Sequence, residues 1–401
     1  MGTALRIATA MVRRETRRGQ THPAALATRR HVDIFLFLGS VTAGIDCPAG
    51  SNKAGRRSHL RARVRTKSSV IAHAKTFDEA LRNCACRTIP GTERAIDINL
   101  LSGGASLETW SFRANGPNVD RPLILRRQSA NAHEPTRLNL GIEAQLMRAA
   151  RAAGVPSPTV LHVLAPDDGL GSGLIMDRVA GETNPRKILR EEAFAAIRPA
   201  LARQAGAILA RIHAISTATL PPLPLSSARR ELKELREVYR RDGQPRPVFE
   251  LAFRWLEAHA PLDPVRPCLV HGDFRNGNLI IGPDGIRAVL DWELATFGDP
   301  MRDLGWICTP SWRFGEIDKP VAGFGTRADL IAGYETAGGT RVSSQALAYW
   351  EVFGSLRWGV YCLKMLARAA TGDRPVERLM IARRASETEI DLLRFIAPRG
   401  T

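Results

Sequence analysis

The stretch Leu269-Val270-His271-Gly272-Asp273-Phe274-Arg275-Asn276-Gly277-Asn278, with Ile286-Arg287-Ala288-Val289-Leu290-Asp291-Trp292-Glu293 close behind it, decides how the chain is read. An apolar run enters a polar loop that carries Asp273 and Asn278, and a second apolar run ends on Asp291. Three oxygen-bearing side chains are thereby delivered to strand ends or tight loops. Such a set suits phosphoryl transfer, in which a protein mainly holds metal-bound phosphates and orients an attacking hydroxyl. Asn278 follows Asp273 by five positions and Asp291 follows Asn278 by thirteen. The first step is that of the H-R-D-x-x-x-x-N catalytic loop, and Asp291 stands where the Asp of D-F-G stands. Asp273 is then the group that accepts the hydroxyl proton, with Asn278 and Asp291 as metal ligands. Asp, Asn and Gly gather in many turns, so the weight lies in both spacings and both apolar runs holding together.

His271-Gly272-Asp273, then Asn278, then Asp291-Trp292 resembles the signature of the aminoglycoside phosphotransferase family of kinase-like small-molecule phosphotransferases. The resemblance runs from about Ile96 to Phe395. It implies an α+β, protein-kinase-like two-lobed fold: a small lobe with an antiparallel sheet and one helix, and a larger, mainly helical lobe. It also implies transfer of the γ-phosphoryl group of ATP, or of GTP, with Mg²⁺, to a hydroxyl of a small molecule. The expected division is a basic arm over 1–74, a small lobe over 75–179 and a large lobe over 180–401.

A formal charge of +17 suggests a nucleic-acid binder until it is divided along the chain. Residues 1–90 carry 17 Lys/Arg against 5 Asp/Glu, so twelve of the seventeen net charges belong to the amino-terminal region. The Arg-rich runs of residues 1–74 have no sustained periodicity and predict disorder. The apolar run from Ile34 to about Ile45 falls short of the roughly twenty residues that cross a bilayer. The arm reads equally as a targeting segment, as an extension outside the domain or as a start-site artefact. Six cysteines are sparse for 401 residues and predict reduced thiols in a cytoplasmic protein. Cys84 and Cys86 form a C-x-C that could bind metal, with no second cluster beside it.

In the small lobe, a short helix is expected from Phe77 to Cys86. Ile96 to Leu100 and Leu107 to Phe112 alternate at period two around Ser102-Gly103-Gly104-Ala105-Ser106, a hairpin with a glycine-rich tip. Backbone N–H groups at such a tip can approach phosphate with no Cβ in the way, although hairpins use Gly-Gly pairs routinely. The resemblance places this tip over the nucleotide, with Gly103, Gly104 and the Ser106 hydroxyl as contacts. The strand Leu123-Ile124-Leu125-Arg126 ends on a cation where kinases keep the phosphate-binding Lys. Arg127 should point to the opposite face. On the helix expected from about Arg137 to Ala153, Glu143 is either the partner of Arg126 or a solvated acid. Strands are expected from Thr159 to Leu164 and from Leu174 to Val179. The resemblance makes Asp177 to Val179 the hinge whose backbone binds adenine.

In the large lobe, Leu201, Ala205, Ile208, Ile212 and Ile215 form one helical stripe, and His213 reads as packed rather than catalytic. A charged helix from about Ala228 to Arg240 reads as a solvated face. His271 supports the loop, and Asp303 would brace it. Arg275 is either a transition-state cation or a surface ion pair, and Glu293 a further contact. Long helices are expected from about Ser343 to Ala370 and from Pro375 to Phe395, with Trp306, Trp312, Trp350 and Trp358 as core or as walls of an apolar acceptor site. Residues 311–401 hold ten acids against thirteen Lys/Arg, a poor match for a polycationic aminoglycoside. The Gly103 to Ser106 hairpin and Asp273-Phe274-Arg275 resemble the family's acyl-CoA-associated branch, which implies a hydroxyacyl or other non-polycationic acceptor. An inactive nucleotide-binding relative, or nucleic-acid binding through the arm, is the alternative.

Overall fold

The computed structural model describes residues 76–103, 107–128, 138–242, 244–264, 266–370 and 376–397. The basic arm and the expected tip contacts Gly104 and Ser106 lie outside them. A first helix, α1, spans 76–88. It is followed by β1 (Arg94–Gly103), β2 (Leu107–Gly116) and β3 (Val119–Gln128), then α2 (Leu140–Ala152), β4 (Val160–Val163) and β5 (Gly173–Asp177). These five strands form one sheet in the order β1-β2-β3-β5-β4, with every neighbouring pair antiparallel.

The run Leu123-Ile124-Leu125 lacks alternation because the sheet is covered on both faces. Leu123 and Leu125 join Phe112, Ile175 and α1's Leu81 in one core, while Ile124 joins Met176 and the Leu146 and Met147 of α2 in the other. Arg126 shares the α2 face with Ile124, and Arg127 faces the other way. There Arg127 donates to Glu108 at 2.9 Å and lies 4.4 Å over the Phe77 ring. Strands β2 and β3 run further than the apolar patterns of the sequence. Arg113 and Asp120 pair across them, and the N–H that Pro122 lacks would point past the last β3–β5 pair, Leu123 opposite Asp177. Helix α2 begins later than expected because the Asn139 side chain accepts from the Ile142 N–H at 2.8 Å and caps it.

The chain leaves the sheet after Asp177 and touches the second lobe where Glu182 and Ile281 exchange two backbone hydrogen bonds of 2.9 Å. Beyond a short helix, α3 (Pro185–Arg190), α4 (Arg198–His213) buries the expected stripe. Its Gly206 meets α8 (Arg327–Thr336) so closely that a Cβ would lie 2.1 Å from the Leu330 carbonyl oxygen. Helices α5 (Ala228–Asp242) and α6 (Pro247–His259) precede β6 (Cys268–Val270) and the hairpin β7 (Leu279–Gly282) and β8 (Gly285–Val289). Strand β9 (Thr296–Gly298), paired with β6, leads into α7 (Met301–Cys308), and the 27-residue α9 (Ser344–Ala370) crosses the lobe.

Two expectations need correction. The charged face of α5 is not simply solvated: Arg236 stacks 4.3 Å over Phe253 and pairs with Glu250 and Glu257 of α6, and Glu231 pairs with the buried Arg302. The last expected helix is two, α10 (Val376–Ala382) and α11 (Ala385–Ile396). The backbone tightens to Arg384 N–H→Ile381 O at the break, and the Arg384 guanidinium is drawn to Glu387 and the Ser311 carbonyl. Among the described residues, no helix is long and apolar enough to cross a membrane.

Asp168 fastens α1 to the sheet. Its carboxylate accepts from Arg87, from His162 Nε2 at 2.8 Å and from the Ala165 N–H at 2.7 Å. The Cys84 thiol lies beside it, whereas Cys86 points away to the Glu93 carbonyl, so the two cysteines share no site. Burial alone would raise the Asp168 pKa, but the bonds from His162, Ala165 and Cys84 outweigh it and hold the group at about 2. A depressed folded pKa contributes stability above the unfolded value and loses it as pH falls through the folded one, here about 2 kcal/mol at neutral pH. Asp168→Asn should therefore destabilise the protein by about that amount near pH 7, with the deficit in urea melts shrinking towards about pH 3; a deficit independent of pH would contradict the ionic anchor.

Candidate functional site

The loop between β6 and β7 is shaped from beneath by Asp303 of α7. Its fully buried carboxylate accepts from the His271 N–H and the Gly272 N–H, each at 2.8 Å, and from His213 Nε2 at 3.2 Å. His213 Nδ1 contacts the Tyr334 hydroxyl at 2.9 Å, so this histidine is a structural member. Burial would raise the Asp303 pKa, but the hydrogen bond and charge of His213 reverse the sign and keep it ionised. Gly272 has φ +82°, and a Cβ there would lie 2.3 Å from the Leu294 carbonyl oxygen, so only glycine fits. The His271 ring accepts from the Asp273 N–H at 3.2 Å through Nδ1, which fixes its proton on Nε2, 3.0 Å from the Leu290 carbonyl. Burial lowers its pKa and keeps it neutral. It is a brace between the loop and the end of β8.

The turn presents Asp273, which is 9% exposed. Asn278 Nδ2 donates to Asp273 Oδ2 at 2.7 Å and to the Asp273 carbonyl at 3.0 Å. Asp273 Oδ1 accepts from Arg275 Nε at 3.0 Å and from the indole Nε1 of Trp306 at 2.8 Å. Arg275 also lies 4.7 Å over the Trp312 ring, so it is tied to the loop rather than extended into solvent.

Asp291 closes the site from the end of β8, with φ +69° and ψ +65°, a left-handed conformation rare outside glycine and costly to hold. Arg126 reaches across from β3 and donates 2.5 Å bonds to Asp291 Oδ1 and to Glu143 Oε1 of α2. Two carboxylates keep this buried guanidinium charged against the cost of burial. Burial works against the Asp291 carboxylate too, but Arg126 holds it below its ordinary range. Glu293, two residues on, makes no ion pair among the described residues: burial and then Asp291 push it up to about 7 against the charge of Arg126. The second oxygen of Glu143 is buried without a hydrogen-bond partner among the described residues.

Asp273, Arg275, Asn278, Asp291, Arg126 and Glu143 thus form one connected network between the lobes, joined through the Leu290 N–H→Asn278 O bond of 2.9 Å. Gly103 lies opposite Glu108 at the end of β1. The Asp177 carboxylate pairs with Arg121 at 2.7 Å and its N–H bonds the Thr159 carbonyl, whereas no hydrogen bond among the described residues engages the backbone of Val179. Trp306 was legible only as core or pocket wall. The signal was its position three residues after Asp303, on the same helix face. The oxygen donors of Asn278, Asp291 and Glu293 are the kind that hold Mg²⁺.

The family model described as the phosphotransferase enzyme family matches residues 97–339. Among curated proteins, mouse acyl-CoA dehydrogenase family member 10 is 32% identical over 219 residues, which cover 51% of this chain and 19% of that protein. The chain therefore aligns with about a fifth of that relative's length. Among solved structures, a Ralstonia eutropha protein named as a candidate aminoglycoside phosphotransferase superposes with a TM-score of 0.62 at 21% identity, over 79% of this chain and 97% of that one. A thermostable mutant of aminoglycoside phosphotransferase APH(4)-Ia, in ternary complex with AMP-PNP and hygromycin B, superposes at 0.53 with 18% identity, over 80% and 99%. Both likenesses establish the kinase-like two-lobed fold.

Asp303→Asn keeps the volume but turns one acceptor into a donor facing N–H groups. It should cost about 2–4 kcal/mol and speed amide exchange at His271 and Gly272 ahead of the rest of the lobe. Exchange unchanged at those two amides would show that the carboxylate does not brace the loop.

Proposed function

Because the chain belongs to the phosphotransferase enzyme family, we propose that it transfers the γ-phosphoryl group of ATP to a hydroxyl of a small molecule in a Mg²⁺-dependent reaction. The observation that carries this is the hydrogen-bond inventory of Asp273. An ionised carboxylate offers about four lone-pair sites. Arg275 and Trp306 occupy Oδ1 and Asn278 occupies one site on Oδ2, which leaves one acceptor position on Oδ2 for an incoming hydroxyl.

Asp273 orients that hydroxyl and takes its proton as the oxygen bonds to the γ-phosphorus and the bridge to the β-phosphate breaks, leaving ADP. Asn278 and Asp291 are the ligands for Mg²⁺, which supplies charge neutralisation on the phosphates. Arg126, fixed by Glu143, clamps the phosphates, and its contact with Asp291 keeps that carboxylate compensated before nucleotide arrives. Arg275 is poised beside Asp273 to offset charge on the transferring group. The glycine-rich tip with Gly103, Gly104 and Ser106 covers the phosphates, and the backbone of Val179, two residues after Asp177 and unengaged among the described residues, receives the adenine edge. The likeness to mouse acyl-CoA dehydrogenase family member 10 supports a hydroxyacyl acceptor. The free cysteines among the described residues fit a cytoplasmic setting.

Purified protein supplied with ATP, Mg²⁺ and a library of hydroxylated metabolites should release ADP and lose that turnover reversibly on chelation. Asp273→Asn should lower the rate by about 10²–10⁴-fold. Nucleotide binding with no acceptor-dependent turnover would instead favour an inactive nucleotide-binding protein.

A further inference from the structure

Arg357, in the middle of α9, is 7% exposed, and it differs from Arg126 and Arg302. Arg126 has Glu143 and Asp291, and Arg302 has Glu231 at 2.7 Å. Arg357 has no ion pair among the described residues, and its one hydrogen bond, from Nη1 to the Gly272 carbonyl, is stretched to 3.5 Å. Burial and then the nearby Arg302 work against its charge, while Tyr361, Glu231 and Asp273 favour it without bonding it, and a guanidinium does not deprotonate in proteins. A buried charge without an ion-pair contact is destabilising, and such a cost is commonly kept where a ligand needs the charge.

Its position indicates which ligand. The guanidinium lies 4.8 Å over the ring of Trp306, whose indole N–H holds Asp273, and 6.0 Å from the ring of the partly exposed Tyr361. One indole therefore separates the unpaired cation from the carboxylate that would receive the acceptor's hydroxyl. Arg275 over Trp312 and Arg384 over Trp358 continue the same alternation of cation and ring. This cluster of cations and rings disfavours a polycation and suits an anion with a hydrocarbon body.

We propose that Arg357 is the acceptor-binding residue for an anionic group, so that the acceptor is a hydroxylated compound carrying a carboxylate or phosphate close to its reacting hydroxyl, with its carbon chain against Trp306 and Tyr361. This rests on the phosphotransferase reading above. A carboxylate or a phosphate ester beside the hydroxyl offers this chemistry to a guanidinium, whereas the phosphates of a coenzyme A thioester lie at the far end of its pantetheine arm and serve as a remote-anion control.

The test titrates the full chain, with Mg²⁺ and AMP-PNP present, with short-chain hydroxycarboxylates, their neutral hydroxy amides and their coenzyme A thioesters. Binding is followed by tryptophan fluorescence and turnover is measured separately with ATP. Wild type should bind the acids in preference to the amides and the thioesters. Arg357→Met should weaken the preferred anion by roughly 10–100-fold and act on KM more than on kcat, with Arg357→Lys in between and with the Tm of Arg357→Met equal to or above wild type. Equal binding of acid, thioester and amide by wild type, no binding of any, or an Arg357→Met protein that is less stable yet keeps the anion preference would overturn the inference. Arg357-dependent binding without phosphoryl transfer would uphold the anion site and remove the phosphotransferase reading instead.

Discussion

The buried carboxylate of Asp303 is the constraint on which the site depends. It stands between the end of β6 and α7, takes both N–H groups of His271 and Gly272, and is itself held by His213 from α4. Unpaired backbone donors in such a place would be costly, so the loop can turn sharply here only because an acceptor waits beneath it. The turn forces glycine at 272, aims Asp273 outward, and lets the neutral His271 ring tie the loop to Leu290 at the end of β8. One acid thereby sets the separation of the two strand ends that present Asp273 and Asp291.

The second constraint crosses between the lobes. Arg126 comes from the sheet, Glu143 from the helix packed on it and Asp291 from the large lobe, and one guanidinium joins all three. The strained backbone of Asp291 is sustained by that contact and by the buried Trp292 that follows it. A cation already sits where phosphates and metal would bring charge of both signs, so the site need not carry an uncompensated carboxylate before its nucleotide arrives.

Much of this was written in local sequence. The loop spacing, the strand ending on Arg126 and the acid of α2 are short-range patterns, and they converge because period two puts Arg126 on the α2 face. The two-lobed fold was legible through the family resemblance that the loop spacing carries. The bond of Trp306 to Asp273 and the place of Arg357 were not legible, since each residue lies on a helix far along the chain from Asp273 and acquires its meaning only when α7 and α9 cross beneath the loop. The lengths of β2 and β3 were hidden by Arg113, Asp120 and Pro122, polar or strand-averse residues whose costs are met by partners the sequence does not show. The break between α10 and α11 has no proline or glycine to announce it. The proposed acceptor side belongs to this non-local part of the molecule, where residues 311–401 supply Trp312, Arg357 and Trp358 around the loop.

The central claim is that Asp291 and Asn278 hold the metal that makes nucleotide binding productive. Calorimetric titration of AMP-PNP with and without Mg²⁺, in wild type and in Asp291→Asn, tests it most directly. The account predicts that Mg²⁺ strengthens nucleotide binding in wild type and adds little to Asp291→Asn, in which Arg126 is released to bind metal-free nucleotide at least as well. An equal gain from Mg²⁺ in both proteins would contradict it.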